Sequence, residues 1–205
     1  FRSADKGTPF GLPFTWSPDG NWIAYSFPVT QQTYALKLYG FETGQSHQIT
    51  KPVLYDFDPV FHPSGKYLLF LSARIFNPVY DKLQFDLNFP RGTMPYLITL
   101  QKDTPSPFVP VPKSIDEDEE THIHHRHPEL ERKETDAEDK KKDKAVPKIV
   151  IDLEGIEDRI VPLPVPEGDY RQISATKNKI FYLTYPIEGA RYAEPGSKGS
   201  LWAYN

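Results

Sequence analysis

Apolar residues along this chain come in short, strand-length runs divided by tight polar turns, and the runs repeat. Trp16-Ser17-Pro18-Asp19-Gly20-Asn21-Trp22-Ile23-Ala24-Tyr25 matches Phe61-His62-Pro63-Ser64-Gly65-Lys66-Tyr67-Leu68-Leu69-Phe70 with a shift of 45 residues. A fainter third copy, Ile173 to Tyr182, is shifted by 157 from the first. In each copy an apolar residue precedes a turn and an apolar strand follows it. Proline presets φ in the turn, and Asp-Gly or Ser-Gly supplies a residue that accepts positive φ. A further strand pair follows each copy: Tyr34 to Tyr39 in the first, Pro95 to Leu100 in the second and Gly199 to Tyr204 in the third. Alternation in Leu36 and Leu38, and in Leu97, Ile98 and Leu100, suits strands buried between neighbouring sheets. A period of about 40 to 45 residues with such hairpins predicts propeller blades. The expected fold is all-β: a partial β-propeller of about three blades of four-stranded antiparallel sheets. Propellers close with about 4 to 8 blades, so the chain is expected to be part of a larger ring.

Composition supports the strands and divides the chain. With 21 Pro and 14% aromatic residues a helical bundle is excluded, since each interior Pro costs a helix about 3 kcal/mol. There is no Cys, which removes disulfides, thiolate metal sites and Cys nucleophiles. No run approaches the roughly 18 apolar residues of a membrane span. The net charge of −4 is concentrated: Ile115 to Pro147 holds 12 acidic and 7 basic residues, leaving 16 and 17 elsewhere. That segment has too few apolar residues to offset the entropy of ordering and reads as a disordered, charged surface insertion. The expected organisation is blades 1 and 2 in 1–114 with an inserted loop at 73–94, the charged insertion at 115–147, and a further, incomplete blade in 148–205. His122, His124, His125 and His127 lie in the insertion, where no fixed geometry or outer hydrogen-bonding shell makes a metal site. Lys140-Lys141-Lys142 sits among acids and makes no nucleic-acid patch. No cofactor is expected. Ile149 to Leu153 reads as a strand, with Asp152, Glu154, Glu157 and Asp158 on a connection. Arg159 is expected to pair with Asp158, Glu157 or a neighbouring blade, and Pro162, Pro164 and Pro166 to hold an extended edge or linker.

A family resemblance enters with the second blade. The Ser-Pro-Asp-Gly copies resemble the blade repeat of TolB-type propellers, which is widespread. More specific are Ser72-Ala73-Arg74-Ile75-Phe76-Asn77-Pro78-Val79-Tyr80-Asp81, Phe85-Asp86-Leu87-Asn88-Phe89-Pro90-Arg91-Gly92 and Pro95-Tyr96-Leu97. With Ile151-Asp152-Leu153-Glu154-Gly155-Ile156-Glu157-Asp158-Arg159-Ile160 and Pro162 to Tyr170, they resemble the second propeller of tricorn proteases. The resemblance implies a non-catalytic segment of a large serine peptidase that gates or guides oligopeptides toward a core lying elsewhere. It also implies a homo-oligomer, a hexamer in the family, other domains of the same polypeptide as neighbours, and a cytoplasmic location. Two other readings stand beside it: a TolB-like module that binds a partner protein, and the gate propeller of a prolyl oligopeptidase-like enzyme.

Catalytic chemistry is missing from the residues themselves. Gly196-Ser197-Lys198-Gly199-Ser200 has the wrong register for a Gly-x-Ser-x-Gly elbow. His47 falls in a strand and His62 in a turn, and both read as structural. The candidate site is the insertion from Arg74 to Arg91, long for a hairpin connection. One reading makes it a loop at the propeller mouth contacting peptide through Arg74, Tyr80, Asp81, Asp86 and Arg91, with an arginine holding a carboxylate bidentately. The other makes it a small lobe whose aromatics pack on the blade edge while its charges pair internally.

Overall fold

Pro18-Asp19-Gly20 and Pro63-Ser64-Gly65 build the turns the repeat requires, with Gly20 at φ 74° and Gly65 at φ 70°. Each turn is closed by paired backbone bonds: Ser17 N–H to the Trp22 carbonyl, and His62 N–H to that of Tyr67, both 2.9 Å. The third turn is two residues shorter. Thr176 N–H bonds the Lys179 carbonyl at 2.8 Å, and Ala175, opposite Ile180, takes the place that Trp16 and Phe61 hold opposite Ile23 and Leu68. The ungapped match had put Ile173 there.

The computed structural model describes residues 14–53, 55–80, 87–108, 148–187 and 196–204. The first blade is the antiparallel meander β1 (Phe14–Trp16), β2 (Trp22–Pro28), β3 (Tyr34–Gly40) and β4 (Gln45–Gln48). The second contains β5 (Asp56–Phe61), β6 (Tyr67–Ser72), β9 (Met94–Thr99) and β10 (Ile160–Pro162), in that order across the sheet. A separate hairpin, β7 (Val79–Tyr80) with β8 (Leu87–Asn88), lies within the connection from β6 to β9. The third blade shows β11 (Asp169–Ala175), β12 (Ile180–Tyr185) and β13 (Ser200–Tyr204). The fold is all-β in propeller-type blades. One expectation changes: Ile160–Pro162 pairs with β9 and completes the second blade, so the chain after 148 serves two sheets.

Position in the stack explains the sequence pattern. The middle blade is covered on both faces, so Leu68 to Leu71 and all of β9 are buried as near-continuous apolar runs. In the first blade alternation survives: Ala24, Ser26, Leu36 and Leu38 face the middle blade. Ser26 seals that seam by donating to the Asp56 carbonyl at 2.6 Å. From the third blade Ile180, Tyr182 and Tyr204 pack on the same core.

Ile149 to Leu153 is not a strand. It crosses the ends of the first two blades as a strap. Ile149 N–H donates to Asp19 Oδ2 at 2.7 Å, Asp152 N–H to the Leu100 carbonyl at 2.9 Å, and Lys148 pairs with Glu42 at 2.8 Å. A 3-10 turn, Ile156–Arg159, then leads into β10. Arg159 differs from expectation as well. Its guanidinium donates to the carbonyls of Thr99, Leu100, Asp152 and Glu154, satisfying acceptors where no strand follows. The nearby acids Glu157 and Asp158 pair with Lys51 instead. No helix among the described residues is long and apolar enough to cross a membrane.

Candidate functional site

The repeat turns and the strap occupy one end of the blades; antiparallel pairing sends the connections from second to third strand to the other. Residues 73–93 are the connection of the middle blade, leaving after the Ser72–Met94 pair. At this end β5 begins with Asp56, which is only 1% exposed.

A buried carboxylate needs a cation and hydrogen bonds, and Asp56 has both. Arg74 donates through Nε to Oδ1 at 3.2 Å and through Nη2 to Oδ2 at 2.7 Å, while Ser72 Oγ donates to Oδ1 at 2.5 Å. Arg74 Nε also reaches Ser72 Oγ at 2.8 Å. The guanidinium lies against two rings, 5.7 Å from the Phe70 centroid and 5.5 Å from that of Tyr96. Burial pushes the Tyr96 hydroxyl above its ordinary pKa; Arg74 opposes the shift and Asp56 reinforces it. Arg74 does hold a carboxylate bidentately, but that carboxylate is Asp56 of its own blade.

Past Arg74 the loop is tied down at its base. Ile75 N–H bonds the Gly92 carbonyl at 3.2 Å, Thr93 forms a β-bridge with Gly168, and Asn77 Nδ2 donates to Glu167 Oε2 at 2.5 Å. Phe76 and Phe89 pack with centroids 5.3 Å apart. Even so Phe76 is 80% exposed, Leu87 58% and Tyr80 53%. Arg91 is exposed as well. Asp81, Asp86 and Phe85 lie outside the described residues. The base therefore follows the packing reading, while Tyr80 and Arg91 face solvent.

Two acids escaped the sequence reading. Asp169, at the start of β11, is buried and pairs with Arg171 at 2.8 Å; the Arg171 guanidinium stands 4.1 Å above the Tyr185 ring. Asp58 sits in the middle of β5 and accepts from Ile173 N–H at 2.9 Å, across the seam between blades. The available signal was Asp56-Phe57-Asp58: acids in an otherwise apolar strand have to be explained by partners.

His62 and Ser64 form the nearest approach to a nucleophile pair, with Nδ1 and Oγ 2.7 Å apart. Both are occupied in making the turn. Ser64 N–H donates to His62 Nδ1 at 3.1 Å and Lys66 N–H to Ser64 Oγ at 3.3 Å. Burial lowers the His62 pKa, opposed by a bond to the Thr176 backbone. Ser17 and Asp19 do the same work in the first blade, at 2.6 Å. Ser200 opens β13 without a strand-to-helix turn. His122, His124, His125 and His127 lie outside the described residues.

Comparison with known proteins places these observations. The family model described as the tricorn protease second beta propeller domain matches residues 10–205. A tricorn protease homolog of Saccharolobus solfataricus is 36% identical over 195 residues, covering 95% of this chain and 15% of that protein. Tricorn protease homolog 1 of Streptomyces coelicolor is 39% identical over 188 residues, 92% of this chain and 16% of that one. A crystal structure of the tricorn protease superposes with a TM-score of 0.66 at 24% identity, over 94% of this chain and 17% of that one, a likeness of fold. The chain thus spans about a sixth of the length of these relatives.

Proposed function

The chain belongs to the tricorn protease family as its second β-propeller domain, and from that premise we propose that it guides oligopeptides to a serine peptidase core carried elsewhere in the protein. The supporting observation is the loop at 73–93: tied at its base through Arg74–Asp56, and exposing Phe76, Tyr80, Leu87 and Arg91. Exposed aromatics and an exposed guanidinium on one loop suit an extended peptide, since rings stack on side chains of any identity and Arg takes a carboxylate. Asp81 and Asp86 fall between Tyr80 and Leu87 in the sequence and would supply acceptors in this reading. Tyr80 and Arg91 do the contacting in this reading; Arg74 positions them. The work is done in a homo-oligomer in the cytoplasm, where peptides released by other proteases are available.

The test uses the parent peptidase with Tyr80→Ala and Arg91→Glu together. Hydrolysis of peptides of about ten residues is expected to fall several-fold in kcat/KM, with a dipeptide reporter unaffected. Equal rates on both substrates, mutant against wild type, would rule out guidance by this loop. Equal losses on both would point to a structural effect instead.

A further inference from the structure

Ser17, His62 and Thr176 hold the same place in the turns that open the three blades. The backbone N–H of each closes its turn, on the carbonyls of Trp22, Tyr67 and Lys179. Of the three, only His62 titrates near neutral pH. Its ring acts as an Asn or Asp side chain does in such a turn, accepting from the N–H two residues on. Ser64 N–H reaches Nδ1 at 3.1 Å, and Ser64 Oγ lies 2.7 Å from the same atom. A backbone donor on Nδ1 fixes the tautomer: that nitrogen keeps its lone pair, so the neutral ring carries its proton on Nε2. The bond to the Thr176 backbone, which favours the charged ring, is therefore a donation from Nε2–H to the third blade's carbonyl. The strap bears on the same turn, since a Cβ on Gly65 would lie 2.8 Å from Ile149 Cγ1. All of these contacts belong to the middle blade, whose neighbours stand on both sides.

A second proton on this ring has no acceptor waiting for it. The Ser64 hydroxyl can turn to accept from Nδ1–H, but Ser64 N–H cannot, and it is left facing another donor. The charged residues on the two turns are Lys66, Lys177 and Lys179. Nearby, Lys148 of the strap is paired with Glu42, Asp19 holds Ile149 N–H, and Asp58, four residues back on β5, accepts from Ile173 N–H. The Tyr67 ring stands at 5.8 Å in a T-shaped contact. No carboxylate among the described residues comes within ion-pair distance of His62, so a charged ring gains nothing to offset the lost bond. Burial acts in the same direction and holds the ring below its ordinary pKa, with the Thr176 bond opposing. A histidine whose pKa is lower in the fold stabilises fully above its unfolded value of about 6.5, and this contribution is lost as pH falls through the folded one.

We propose that His62 is an acid-sensitive latch at the seam between the second and third blades: the neutral ring holds the turn, the strap and Thr176 together, and its protonation releases them. The latch stands apart from peptide guidance, which needs a firm seam but not this residue. In the first blade the same place is filled by a hydroxyl, Ser17 Oγ, which accepts from Trp22 N–H at 2.9 Å and does not titrate.

Hydrogen exchange read by mass spectrometry tests this, on the protein at about pH 7.5 and about pH 5, corrected for the intrinsic pH dependence of exchange. Peptides covering 62–67, 149–153 and 174–179 are expected to lose protection about tenfold at the lower pH, the effect of one net hydrogen bond. The first-blade turn at 17–22 is expected to keep its protection. His62→Asn retains an acceptor for Ser64 N–H and a side chain suited to the turn, but has no titrating ring. Its protection at the three segments is expected to be the same at both pH values. Should that variant fail to fold, His62→Ser installs the first-blade arrangement and carries the same expectation. Wild-type protection that does not change with pH overturns the latch. A loss at the lower pH that the variant shares overturns it too, by assigning the effect to another group, as does loosening spread equally to 17–22.

Discussion

Arg74 shows how one side chain can serve packing and position together. Removing it leaves Asp56 buried without its cation, so Arg74→Ala is expected to cost about 3 kcal/mol, read by urea denaturation. Lysine cannot supply the fork to both carboxylate oxygens or set a planar cation against the Phe70 and Tyr96 rings, so Arg74→Lys should recover less than half of that. A full rescue by lysine would reduce the interaction to simple charge. Asp19 acts by the opposite route, through hydrogen bonds alone. Burial pushes its carboxyl up, but bonds from Ile149 N–H, Ser17 and Asn21 outweigh this and hold it below 3.8. A carboxyl whose pKa is lower in the fold than in the unfolded chain stabilises at every pH above the unfolded value. That contribution is lost as pH falls through the folded one. The seam between the first two blades is therefore expected to loosen below about pH 4, and Asp19→Asn should remove this step from a plot of unfolding midpoint against pH. An unchanged plot would mean that Ile149 does not depend on the charge.

Among the elements, the turns were the most legible and the strap the least. Pro-Asp-Gly and Pro-Ser-Gly announce themselves because local sterics leave few alternatives. The middle blade was legible for a different reason, its uninterrupted Leu68-Leu69-Phe70-Leu71 reporting cover on both faces. Ile149 to Leu153 misled because an apolar run of five suits a strand and a crossing strap equally. What distinguishes them is partners distant in sequence, Asp19 and Gly65, which no local pattern reveals. The same holds for Arg74: its type and place in the loop were evident, while its partner Asp56 lies 18 residues back on another strand. Gly65 offers a direct check on the strap. A Cβ there would lie 2.8 Å from Ile149 Cγ1, whereas one at Gly20 would meet nothing within 4 Å, at nearly the same φ. Gly20→Ala should then cost about 1 kcal/mol from backbone strain alone, and Gly65→Ala roughly 2–3 kcal/mol with the steric term added. Equal costs would show that the strap yields freely.

At the scale of the whole molecule, the two terminal blades present unlike outer faces. On the first, Trp16 stacks on Phe41 at 5.1 Å while Phe14 remains 61% exposed; on the third, Leu201 is 71% exposed. Faces this apolar mark interfaces, and in a propeller ring a face of this kind is covered by the neighbouring blade. The 205-residue chain on its own is expected to grow in mass with concentration in light scattering, and Trp16→Lys should suppress this. A monomer at all concentrations would mean these faces are covered within the chain. The middle blade carries a further consequence, one of timing. Its fourth strand, at Ile160, is about 60 residues after the β9 residue it joins. At a synthesis rate of about 5–20 residues per second, the bare edge of β9 waits roughly 3–12 s for its partner to emerge from the ribosome. Through that interval β9 offers unpaired backbone groups to any passing strand.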